Sequence, residues 1–119
     1  MKKISLTLLF LWICTPVFAA NFINPIGFTP NKENKAAVVE FVQQNTRQSA
    51  AVVGIDSEST LRMMEQQNLN AFKKLVSAQD KATLKRVIKN CHQIGINDYS
   101  TIYMMYEQEI KAKSKSLQW

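Results

Sequence analysis

Histidine occurs once in this 119-residue chain, at His92, and cysteine twice, at Cys14 and Cys91. A zinc site draws three or four ligands from His, Cys and carboxylates at recognisable spacing, and the sequence offers no such framework. A Cys–His nucleophile needs an imidazole that faces the thiol from across the fold. Cys91 and His92 are neighbours, and neighbours on a helix point about 100° apart. No nucleophile elbow and no phosphate loop is spelled anywhere. Glu107 and Glu109, two apart, do not share a helical face, and Glu58 and Glu65 read as scattered, solvated carboxylates. Neither metal nor cofactor is expected, and the chain is not read as an enzyme.

Breakers are equally scarce. Proline is absent after Pro30, and beyond that point the only glycines are Gly54 and Gly95. A long stretch without breakers, rich in Ala, Gln, Lys, Met and Leu, favours helices. Strict apolar–polar alternation with hairpin turn signals is also missing, so no sheet is expected. The most strand-like piece, "AAVVGI" at 50–55, is isolated.

What is present at the start is a leader. Lys2 and Lys3 precede an apolar run from Ile4 to about Val17, followed by "VFAA". This is the order of a bacterial-type secretory signal peptide, with cleavage expected after Ala19. The run is shorter than the roughly 20 residues of a spanning helix. Leu11, Trp12 and Ile13 before Cys14 are too bulky for lipoprotein processing, so a lipid anchor is not expected. The destination read from the leader is the periplasm or the exterior. Removing Lys2 and Lys3 takes the basic residues from 15 to 13 against 9 acidic, and the net charge from +6 to about +4. Cys91 is then the only cysteine. It is read as a buried structural residue; a free thiol or an intermolecular bridge, giving a homodimer, is the rival reading.

Residues 20–31 read as an extended arm, punctuated by Pro25, Gly27 and Pro30. Its apolar Phe22, Ile23, Ile26 and Phe28 are expected to lie partly against the core. Helices are expected over about 31–49, 57–77, 81–93 and 98–114. Thr29 or Asn31 can cap the first, with Pro30 in its first turn, and Asp80 can cap the third.

A repeat organises these helices. A shift of 41 residues brings "VGIDSESTLRMM" at 53–64 onto "IGINDYSTIYMM" at 94–105. It superposes Gly54 on Gly95, Asp56 on Asn97, Ser59-Thr60-Leu61 on Ser100-Thr101-Ile102, and Met63-Met64 on Met104-Met105. We read a helix–turn–helix unit used twice, over about 32–78 and 80–117. Gly54 and Gly95 would end the first helix of each unit in the left-handed conformation. Asp56 and Asn97 would cap the second. The paired methionines are read as adaptable core filler. Asn68 and Glu109 fall at equivalent polar interruptions of the apolar stripe.

The second copy, with Gly95 at the turn and Cys91 at the small position four residues before it, resembles a DNA-binding helix-turn-helix. That resemblance spans roughly 20 residues and implies a recognition helix after Gly95. The chain departs from the pattern at Ile102, which comes one place late. The expected outward residues, Tyr103, Tyr106 and Glu107, bring few cations to phosphates. Together with the leader, this favours a plain αα-hairpin and no nucleic-acid partner. Lys111, Lys113 and Lys115 complement the dipole of the last helix and form no single stripe.

The expectation is therefore an all-α bundle of two tandem αα-hairpins with an extended N-terminal arm. Its expected role is that of a small exported protein that binds another protein, as inhibitor, immunity-type factor or chaperone-like factor. Association with the envelope or a membrane surface is the alternative, and an enzyme with an unrecognised site is the third reading.

Overall fold

A computed structural model describes residues 20–117 and Trp119. The leader read over 1–19, with Cys14, lies outside the described residues. Four α-helices follow one another: α1 (Lys32–Val52), α2 (Glu58–Val76), α3 (Lys81–Gln93) and α4 (Tyr99–Lys113). Among the described residues there is no strand. The fold is all-α, two tandem helical hairpins with an extended N-terminal arm.

Each helix starts on a side chain that satisfies a free backbone N–H of its first turn. Asn31, Ser57, Asp80 and Asp98 accept from the amides of Asn34, Thr60, Thr83 and Thr101. The caps of α2 and α4 thus stand one residue later than Asp56 and Asn97. The chain stays extended for three residues after each glycine, so the cap position moves on by one. Asn31 is the cap of α1, which places Pro30 before the helix rather than in its first turn. The strand-like "AAVVGI" forms the end of α1 and the bend after it.

The two bends have the same hydrogen-bond pattern. Gly54 N–H donates to Ala51 O and Ile55 N–H to Ala50 O, at 3.2 and 2.9 Å. Gly95 N–H donates to His92 O and Ile96 N–H to Cys91 O, at 3.1 and 2.8 Å. These are the paired bonds of a Schellman ending, which needs a left-handed residue at the bend. Gly54 and Gly95 supply it, at φ +79° and +80°.

α2 packs on both α1 and α4, and α3 packs on α4. Ser100 N–H donates to Asn68 Oδ1 (3.1 Å), Lys74 Nζ lies 5.2 Å from the Tyr103 ring centre, and Asp80 N–H donates to the Tyr106 hydroxyl (3.1 Å). Residue numbers rise together, so α2 and α4 run in the same sense. Ser100 corresponds to Ser59 in the repeat, yet it meets Asn68, nine residues further along α2. That is a stagger of about 13 Å at 1.5 Å per residue. Asn68, one of the polar interruptions, is therefore the joint between hairpins. Glu109, its counterpart, is exposed and pairs with Arg86.

The helices line up in the order α1, α2, α4, α3, and the arm reaches across from α1 to α3 and α4. The Phe22 ring meets Phe41 of α1, His92 of α3 and Tyr99 of α4, with centroids 5.6, 4.5 and 5.2 Å away. The fully buried Tyr99 donates its hydroxyl to Ile23 O (2.7 Å) and accepts from Ile23 N–H (3.1 Å). The core around them includes Val38, Phe41, Phe72, Leu75, Leu84 and Ile102.

Four side chains depart from what the sequence suggested. Tyr106, which the helix-turn-helix resemblance turns outward, is instead buried on the apolar stripe of α4 with its hydroxyl on Asp80. Glu65, expected solvated, is buried on the stripe of Leu61, because Arg47 and Arg62 reach it at 3.1 and 2.8 Å and neutralise it. Met63 and Met104, expected in the core, face solvent; only Met64 and Met105 are partly buried.

Candidate functional site

The repeat carries more than the bend. Val53 and Ile94, the residues just before the two glycines, are 69% and 68% exposed. Met63 and Met104, in the second turn of α2 and of α4, are 55% and 52% exposed. Val53 superposes on Ile94, and Met63 on Met104, under the same shift of 41. Each hairpin thus presents one aliphatic and one methionine to solvent at its bend end. None of the four contributes to the core, so packing does not account for the match. The sequence alone places the methionines in the core and leaves Val53 and Ile94 without a role, because helical spacing does not show which side meets water.

The bend residues themselves have structural duties. Gly54 and Gly95 turn the chain, while Asp56 and Asn97 are exposed and stand before the actual caps. Asp98 caps more strongly than a single bond implies, since it also accepts from the Thr101 hydroxyl at 2.6 Å.

Cys91 and His92 diverge. The Cys91 side chain is fully buried, its thiol donating to the Met105 sulfur at 3.5 Å. Burial, and secondarily the Asp98 charge, push the thiol above its ordinary value. Its counterpart in the first hairpin is Ala50, also fully buried. Both residues occupy the helix-end position whose carbonyl closes the Schellman bond, where a small side chain fits. The His92 ring turns the other way, edge-on to Phe22. The two do not form a pair, and a bridge through Cys91 would first require α3 to part from α4. Among the described residues no three His, Cys, Asp or Glu side chains converge.

Charged groups mostly tie elements together. Arg47 of α1 holds Glu58 and Glu65 of α2, and its hydrogen bonds lower the Glu58 carboxyl below the usual carboxylate range. Lys113 of α4 reaches Asp80 at the start of α3 at 2.6 Å. That contact, and then the Thr83 amide and hydroxyl, hold the Asp80 carboxyl well below its ordinary value.

Two of the surface depressions bear on binding. One, on α3, is shallow and lined by Lys85, Lys89, His92 and Asn24. The other lies on the first hairpin between α1 and α2, has a volume of about 390 Å³ and is lined mainly by Phe28, Val38, Val39, Leu69, Phe72 and Val76. The sequence reading missed this groove, since its wall depends on where the arm sets Phe28.

Compared with known protein families, curated proteins and solved structures, the chain has no match.

Proposed function

We propose that this chain is a non-enzymatic binding protein that docks another protein outside the cytoplasm through the bend ends of its two hairpins. The observation that carries the reading is the duplicated exposed pair, Val53 with Met63 and Ile94 with Met104. Exposed aliphatics raise the risk of association, and a repeat that keeps them in both copies at the same depth has a use for them. Methionine adapts its shape to a partner at little conformational cost, which suits a contact surface. Export is the leader's contribution to the proposal.

The test compares the folded wild-type chain with a Val53→Ser, Met63→Gln, Ile94→Ser, Met104→Gln variant as bait for proteins of the exported fraction. All four changes are at exposed positions, so the variant is expected to melt within a few degrees of wild type. A partner held stoichiometrically by the wild type and lost by the variant supports the reading. A partner retained by the variant places the contact elsewhere, and the absence of any stoichiometric partner rejects protein docking.

A second reading has one observation of its own. Lys85 and Lys89 stand one helical turn apart on α3, beside His92, and carry no ion pair among the described residues. A cationic face of this kind suits an anionic envelope surface, with the salt-sensitive binding such contacts show.

A further inference from the structure

The groove of the first hairpin is separate from the bends and takes no part in the docking reading. Buried Val38 and Phe72 form its floor, and Phe28 stands edge-on to Phe72 with ring centroids 5.0 Å apart. Phe28 and Pro30 of the arm wall it where α1 begins and α2 ends. A separate recess of about 110 Å³ shares Val39 and Leu69 with it. That recess is lined in part by Arg62 and Glu65, which are bonded to each other at 2.8 Å. The main groove is a partly open, mostly apolar trough on the first hairpin. Its volume of about 390 Å³ is near the lower end of the range for small-molecule sites, roughly 300–1,000 Å³.

Its rim has one sign of charge. Lys35 stands on the α1 side and Lys73 on the α2 side, and no acidic residue lines the groove. Among the described residues neither lysine ammonium has a hydrogen bond or an ion pair, while both carboxylates of α2, Glu58 and Glu65, are engaged by arginines. An apolar trough with two free cations at its mouth is complementary to one kind of molecule, an apolar chain with an anionic head.

We propose that this groove binds a free fatty-acid-type carboxylate. One acyl chain would lie along Val38, Val39, Leu69, Phe72 and Val76, and the carboxylate would sit between Lys35 and Lys73. A two-chain lipid exceeds the volume. A cationic amphiphile brings like charge to the lysines. A neutral alcohol keeps only the apolar part of the interaction. Affinity should rise about fourfold per added methylene until the trough is full.

The proposal is tested by calorimetric titration of the folded chain with decanoate, decanol and decyltrimethylammonium below their micelle concentrations. A parallel arm measures flotation with phosphatidylglycerol vesicles. Decanoate is expected to bind once per chain and at least tenfold more tightly than decyltrimethylammonium. Lys35→Gln with Lys73→Gln should weaken decanoate about tenfold and leave decanol unchanged, since only the charge-assisted contacts are lost. Val39→Asp, at an exposed position, should abolish decanoate binding while the melting temperature holds. Absence of saturable decanoate binding, equal affinity for both head charges, or full affinity in the lysine variant overturns the proposal. Binding to the vesicles without uptake of free decanoate also overturns it, and assigns the lysines to a bilayer surface.

Discussion

Cys91 shows how a reactive residue type can hold an inert position. The site asks for a small, fully buried side chain at the end of α3, and the first hairpin meets the same demand with Ala50. Cys91→Ala is therefore expected to fold normally, at a cost of about 1 kcal/mol for the lost sulfur packing and the Met105 contact. In the wild-type chain a maleimide reagent should label Cys91 slowly under native conditions and completely in denaturant. Both barriers act in the same direction, because burial blocks the reagent and the raised thiol leaves less thiolate. Rapid native labelling, or a dimer that disappears with reductant, would show the α3–α4 contact to be open.

The hairpin is the element on which the fold turns, and its two bends can be compared directly. A Cβ built on Gly54 or Gly95 meets nothing within 4 Å, so Ala at either site is penalised by backbone conformation alone. Gly54→Ala and Gly95→Ala should each cost about 1–2 kcal/mol, and by similar amounts, with Asn milder than Ala. Urea unfolding of the two variants checks this; a cost near zero at either bend would mean that the Schellman ending is not needed there. The helices and bends were legible because breakers are rare, so the two glycines after the arm stand out. The caps of α1 and α3, Asn31 and Asp80, were legible, while those of α2 and α4 stand one residue later than read, since Asp56 and Ser57, like Asn97 and Asp98, are both able to cap. Burial was harder to read. Glu65 takes a stripe position because Arg62 and also Arg47, 18 residues away, reach it. Met63 shares the local sequence of Met64 and differs from it only in facing outward. Nothing local announces the groove, since Phe28 becomes its wall through packing on Phe72.

At the scale of the whole molecule the arm completes the bundle. α1 and α3 are the outer helices of the row, and Phe22 joins them while Tyr99 fastens the adjoining Ile23 backbone. The pairing of Tyr99 with Ile23 spans 76 residues, beyond any local signal in the sequence. This predicts a specific non-additivity. Phe22→Ala should cost about 3 kcal/mol through lost packing of a partly buried ring. Tyr99→Phe should cost about 1–3 kcal/mol, because it leaves the Ile23 carbonyl and amide without their partner. Both changes release the same segment, so once Phe22 is gone the arm is already loosened and the hydroxyl has less to hold. The double variant should be less destabilised than the two single costs together, by about 0.5–3 kcal/mol, in a urea-denaturation double-mutant cycle. Hydrogen exchange at the Ile23 amide gives the local readout, with protection expected to fall in either single variant. Strict additivity, with Ile23 still protected in Phe22→Ala, would mean that the hydroxyl holds the arm unaided and that Phe22 only fills space between α1 and α3.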